Sequence, residues 1–224
     1  MLINGGRTHE VNKLVQTFGA YTDFDIVIYT DQPHNGIDHD NIVNLSSVGD
    51  YRIKVQAAFN FNLKGIFIHH AYRTFSQYDR IIWVDCDVFL TGPCPHLFDQ
   101  MTDGDLHARI GPFPPSNQAF DKLNIIANFI QLRPLPKTDQ LPYINEVMIV
   151  VNRTPLSSLF VDKWFNLCVH STMNWGINPC YEAVEFAIAA YGVPDLDIQE
   201  LPRRHGLEHT SIFTSHRDND MIYM

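Results

Sequence analysis

The run RIIWV at residues 80–84 constrains the fold more than any other segment of the chain. Ile81, Ile82, Trp83 and Val84 are β-branched or aromatic, which suits a strand buried on both faces. A strand of that kind needs packed structure on each side, as in the interior sheet of an α/β fold. It runs directly into Asp85-Cys86-Asp87. Carboxylates at the end of a buried strand are costly unless a cation or a hydrogen-bonding ligand meets them. In open α/β sheets, ligands gather at the carboxyl ends of the strands. In extended backbone Asp85 and Asp87 share one face, with Cα atoms about 7 Å apart. That spacing suits one direct metal ligand and one carboxylate bonding a sugar hydroxyl or a metal-bound water. Oxygen donors favour hard cations, Mg²⁺ or Mn²⁺, which keep positions open for a diphosphate. The alternative is that both aspartates cap a turn; the apolar Val88-Phe89-Leu90 that follows favours a site.

Around this motif, strand and helix patterns alternate. Residues 1–3 read as a short strand ending at Gly5-Gly6. Residues 9–18 carry Val11, Leu14, Val15 and Phe18 at helical spacing, with Gly19 closing the helix. Residues 25–30 (DIVIYT) and 42–45 read as strands, and 51–75 as a helical stretch interrupted near Gly65. Residues 111–117 and 132–142 are Pro-rich loops, the natural places for substrate loops, with a helix over 120–129 between them. Residues 144–151 read as a strand closed by Asn152, which also suits a cap for the helix after it. Helices follow over 156–169, with Leu159, Phe160 and Lys163 around a core stripe, and over 181–191, with Val184, Ala187, Ile188 and Tyr191 on one face. Short strands are expected at 198–201 and 211–214. The alternation predicts a single-domain α/β sandwich around a mainly parallel, mixed central sheet.

Composition sets outer limits. The 224 residues are 45 % hydrophobic and 18 % charged, which excludes intrinsic disorder. A net charge of −9 disfavours nucleic acid and anionic membranes as partners while leaving nucleotide ligands allowed. No stretch approaches the ~20 apolar residues of a membrane span, and MLINGGRTHE lacks the layout of a secretory signal. Cys86, Cys94, Cys168 and Cys180 form no CxxC pair and are too sparse for a disulfide scaffold or a zinc ribbon. The sequons at Asn44 and Asn152 are then accidents of sequence, and the expectation is a cytoplasmic protein.

The run IIWVDCDVFLTGP resembles the "apolar strand, DxD, apolar" signature of nucleotide-sugar glycosyltransferases with the A-type fold, especially those similar to glycosyltransferase family 8. LINGGRTHEVNKLVQTF resembles the first strand and helix of the nucleotide-binding half, and DFDIVIYTDQP its second strand. GDYRIKVQAAF resembles the helix before the DxD strand. YINEVMIVVNRTPLSSLFVDKW resembles the family's "asparagine, apolar strand, asparagine" segment. PCYEAVEFAIAAYGVPDLDIQELPRRHG resembles the acid-bearing helix, and TSIFTSHR the late strand whose histidine completes the metal site. The order covers nearly the whole chain, implying one domain over 1–224, with a nucleotide-binding half over 1–110 and an acceptor half over 111–224. Three departures stand out: Glu146 and Val147 replace a small residue and a glycine, the His-x-x-Gly-x-x-Lys ending is absent, and no clear Asp-Gln pair lies near Tyr181.

The resemblance implies roles residue by residue. Asp87 is a direct metal ligand, and Asp85 holds ribose or donor sugar and the metal's water. His216 is the third protein ligand, with His209 as the fallback; neutral imidazole suits Mn²⁺. Asn4 and Gly5, at the end of the first strand, and Asp31, at the end of the second, face the nucleotide. Lys54, ahead of Arg52, neutralises the leaving diphosphate, where charge grows in the transition state. Asn145 bonds donor-sugar hydroxyls. Glu182, i, i+3 from Glu185, is an acceptor base or sugar ligand. From the residues alone, Trp175, Tyr181 and the loop 112–115 either form an acceptor platform or pack in the core.

The implied activity is metal-dependent transfer of a sugar from a nucleotide-diphosphate donor, such as UDP-glucose or UDP-galactose, to a hydroxyl of a glycan, lipid or protein. Mn²⁺ or Mg²⁺ is the cofactor, and family 8 implies retention of anomeric configuration. A non-catalytic nucleotide-sugar binding protein of the same fold is the main alternative. A haloacid-dehalogenase-like phosphatase is a weaker one: Phe89 stands where Thr or Val is usual, and Asp195-Leu196-Asp197 follows Val193-Pro194 rather than a buried strand. A nucleic-acid-modifying glycosyltransferase needs a docking patch such as Arg203-Arg204-His205 against the overall charge.

Overall fold

Strand-forming runs and amphipathic helices settle into two compact units, residues 1–52 with 83–103 and 200–224, and residues 53–82 with 104–199. The computed structural model describes residues 2–3, 8–30, 36–44, 63–86, 88–90, 92, 98–113, 116–173, 183–201, 212–215 and 221–223. In the first unit, β1 (Leu2–Ile3), β2 (Ile28–Thr30) and β3 (Ile42–Asn44) pair in parallel in that order. Parallel neighbours need a crossover, and α1 (Thr8–Tyr21) supplies it between β1 and β2. Val11, Leu14 and Phe18 form its buried stripe. Gly19 does not close this helix; the chain stays helical to Tyr21, and the Thr22 N–H still reaches the Phe18 carbonyl at 2.8 Å. A second sheet of this unit joins β5 (Val88–Leu90), β9 (Ile212–Ser215) and β10 (Met221–Tyr223), all antiparallel. The Leu90 N–H donates to Thr17 Oγ1 at 3.2 Å and ties β5 to α1.

The other sheet has the order β4-β7-β6-β8, from β4 (Arg80–Val84), β7 (Tyr143–Asn152), β6 (Leu106–Gly111) and β8 (Ile198–Glu200). Its longest ladder, β6 with β7, is antiparallel. The expected mainly parallel sheet is therefore corrected: the central pairing is mostly antiparallel, and parallel pairing is seen in β1–β2–β3. The reason lies in the connection. The chain leaves β6 at Gly111 and re-enters β7 at Tyr143, its direct partner. The intervening helix α3 (Asn117–Phe129) is an excursion that starts and ends at one end of the sheet, not a crossover. Ser116 caps α3, its hydroxyl accepting the Ala119 N–H at 3.1 Å.

Among the described residues this unit also has α2 (Leu63–Thr74), α4 (Pro155–Met173) and α5 (Ala183–Tyr191). The inner face of α4 carries Phe160, Val161, Trp164, Leu167 and Cys168, all buried, whereas Leu159 is 46 % exposed and lies off the expected stripe. Phe160, Trp164 and Phe186 pack as an aromatic cluster with centroids 4.8 to 5.6 Å apart. Gly65 does not interrupt α2; it lets α2 approach α4. A Cβ there would stand 2.7 Å from Cys168 Sγ and 3.2 Å from the Trp164 ring. Helix α5 is buried along residues 183–190, and its one acid, Glu185, meets Lys122 of α3, Nζ to Oε2 at 2.7 Å. Burial pushes the Glu185 carboxyl up, against the opposing pull of Lys122.

The segment after β7 joins much of this unit. Asn152 is buried and donates from Nδ2 to the Gly104 carbonyl at 3.1 Å. The Arg153 guanidinium donates to the carbonyls of Tyr72 and Phe75, both at 2.7 Å, and of Tyr78, and lies 4.4 Å over the Tyr72 ring. Thr154 donates to the buried carboxylate of Asp105 and accepts the Ser157 N–H at 3.0 Å. Thr154, not Asn152, is thus the cap of α4.

Two outcomes follow for stability. Gly65→Ala is expected to cost about 1–3 kcal/mol through overpacking. Cys168→Ala in the same chain should recover part of that loss in urea melts, because it removes the nearest clashing atom. Lys122→Met strands a buried carboxylate and should cost about 3–5 kcal/mol at pH 7. A carboxyl whose folded pKa is raised binds its proton more readily folded than unfolded, so that cost should shrink as pH falls toward the ordinary value near 4.5. A penalty that stays constant between pH 7 and 5 would show that Glu185 is not the cause.

Candidate active site

Strand β4 delivers the paired-aspartate motif. Val84, Cys86 and Val88 are buried and Asp85 is half-buried, so Cys86 points into the fold. The Asp85 carbonyl accepts the Val88 N–H at 3.1 Å. The expected extended run from Asp85 to Asp87 falls in part outside the described residues. The buried Trp83 donates from its indole nitrogen to Asp85 Oδ1 at 3.1 Å, two residues along the same strand face. That bond orients the carboxylate.

The antiparallel ladder of β5 with β9 pairs Val88 with Ser215, Phe89 with Thr214 and Leu90 with Phe213. Val88 is the residue after Asp87, and Ser215 is the residue before His216. Asp87, His216, His209, Asn4, Gly5, Asp31, Lys54, Arg52, Glu182, Trp175 and Tyr181 themselves lie outside the described residues. Among the described residues no three His, Cys, Asp or Glu side chains stand together as a metal site. Asp85, with its indole partner, has the donor chemistry that a hard divalent ion requires.

Asn145 is placed by its backbone, opposite Arg109 in the β6–β7 ladder. The next rung pairs Ala108 with Ile149, so residues 146–148 form an irregularity in β7. Glu146 and Val147, the residues departing from the family segment, fall inside it. The later acids of the phosphatase alternative are engaged locally. Asp195 has φ of 65° in a turn, and both Asp197 carboxylate oxygens accept from Gln199 Nε2 at 2.8 Å.

Sequence reasoning missed a cavity of about 790 Å³ within the second unit. Both Pro-rich segments line it, through residues 110–113 and 138–142, together with Tyr191 and residues 196–198. The expectation that those segments form substrate loops was its signal. Tyr191, expected on the core face of α5, is instead 40 % exposed and lines this cavity.

No family model matches the chain, and no curated protein matches it. Its structure is similar to that of mouse xyloside xylosyltransferase 1 in the apo form, with a TM-score of 0.52 and 12 % identity over 88 % of this chain and 80 % of that one. It also matches the apo bifunctional glycosyltransferase WbbM, at TM-score 0.46 and 12 % identity, over 88 % of this chain and 44 % of that one. The chain therefore spans less than half the length of WbbM. The protein has a glycosyltransferase-like fold. Among the described residues, no helix is long and apolar enough to cross a membrane.

Proposed function

We propose that the protein is a metal-dependent glycosyltransferase that moves a sugar from a nucleotide-diphosphate donor to an acceptor hydroxyl. One observation carries this beyond the fold. The β5–β9 register pairs the neighbour of Asp87 with the neighbour of His216, although the two lie far apart in sequence. That pairing supports Asp85, Asp87 and His216 as a shared ligand set for Mn²⁺ or Mg²⁺. When bound, such an ion supplies Lewis-acid stabilisation of the departing nucleoside diphosphate.

The chain's own residues do the rest in this reading. Asp85, oriented by Trp83, holds donor hydroxyls. Asn4, Gly5 and Asp31 bind the nucleotide, and Lys54 offsets diphosphate charge. Asn145 orients the donor sugar and Glu182 faces the acceptor. The family 8 resemblance supports retention and a UDP-glucose or UDP-galactose donor; the xylosyltransferase neighbour adds a nucleotide-xylose to the donors worth testing. The division into a nucleotide-binding half over 1–110 and an acceptor half over 111–224 belongs to the same reading. The irregularity at residues 146–148 favours a second reading, a donor-binding protein without turnover.

Nucleotide release from this donor panel, with and without Mn²⁺, decides between them. Metal-dependent release abolished by Asp87→Asn, in a variant that melts like the wild type, is the expected outcome. Donor binding without release would establish the second reading. Trp83→Phe, which removes only the indole donor, should raise the Mn²⁺ concentration for half-maximal release about tenfold. An unchanged requirement would show that the Trp83–Asp85 bond does not serve the metal.

A further inference from the structure

The cavity of the second unit carries a chemistry of its own. Its walls come from the end of β6, the 3-10 turn Thr138–Gln140 with the residues after it, the C-terminal end of α5 and the approach to β8. Among the described residues lining it there is no Lys, Arg or His, while Asp139 and Asp197 both contribute. A phosphate, nucleotide or carboxylate would meet repulsion without a compensating cation. The volume, about 790 Å³, falls in the range of ligand sites rather than packing defects.

Two aromatic rings, Phe113 and Tyr191, stand among the apolar residues that line the cavity. Tyr191 breaks the pattern of α5: residues 183–190 are buried, yet this large side chain is 40 % exposed. The Phe113 ring is held edge-on by Tyr143 at 5.4 Å and tilted against Phe120 at 5.6 Å, so it presents a pre-set surface. The polar side is also fixed. The Asp197 N–H donates to the buried Asp105 carboxylate at 2.8 Å, and its own carboxylate is held by Gln199. Aromatic faces meet the C–H surfaces of a sugar ring, while the held Asp197 carboxylate, Asp139 and the side chains of Thr138 and Gln140 meet its hydroxyls.

We propose that this cavity binds an uncharged saccharide. A role for that saccharide as acceptor rests on the glycosyltransferase reading; the binding does not. In a transferase it places the acceptor glycan on the Pro-rich loops, and among glycan, lipid and protein acceptors it selects the glycan.

Saturation-transfer NMR on the full chain with xylose, glucose, galactose, lactose and maltose tests it, with inorganic phosphate, UDP and tetramethylammonium as controls. At least one neutral saccharide should bind, about tenfold more weakly to Tyr191→Ala and with little change to Tyr191→Phe. Both substitutions lie at an exposed position, and thermal melts verify that they fold. Binding of none of the saccharides, equal binding to Tyr191→Ala, or binding of tetramethylammonium alone would overturn the proposal. Nucleotide release measured in parallel separates the two readings. Release with no saccharide bound sinks the cavity and leaves the transferase. Saccharide binding with no release from any donor does the reverse.

Discussion

The tripeptide Asn152-Arg153-Thr154 is the joint on which the second unit depends. Its side chains reach two elements: Asn152 and Thr154 hold the Gly104 carbonyl and the buried Asp105 carboxylate just before β6, and Arg153 holds the carbonyls that end α2. Arg153 satisfies acceptors that a helix C-terminus leaves without intrahelical donors, and a cation there also complements the helix dipole. Its backbone N–H donates to the Asp79 carbonyl at 2.9 Å, one residue before β4 begins. The strand that delivers the paired aspartates is thereby fixed at its start. The same geometry disposes of the sequon, because the amide nitrogen that a glycan would modify is a buried donor.

Much of this was legible in the sequence, and the failures have physical causes. The apolar runs found β1 to β4 and β7, and helical periodicity found α1, α3, α4 and α5. Strand β6 was missed because His107 and Arg109 break its apolar pattern, although His107 is buried. β10 is a three-residue strand that gains its identity only from pairing with β9. Gly65 looked like a breaker because local propensity opposes glycine in a helix. Its cause is tertiary, the approach of α4, and no local reading contains it.

The candidate site divides along the same line. Paired carboxylates at the end of a buried strand conflict with local rules, so Asp85 and Asp87 stood out at once. The cavity was legible only through its Pro-rich walls. Tyr191 and Asp197 reach it from elements distant in sequence, and neither breaks a local rule on its own.

The excursion between Gly111 and Tyr143 has one more consequence. Its two ends face each other across one rung of the ladder, so the sheet sets where the segment starts and stops and leaves its length unspecified. Closing a longer or shorter loop between fixed ends changes the entropy of closure only slowly with length. The proline-rich stretches on either side of α3 can therefore change length without altering the sheet register, whereas α3 itself is held to α5 by the buried Lys122–Glu185 pair. In evolution or in engineering, that separates what the domain recognises from what keeps it folded.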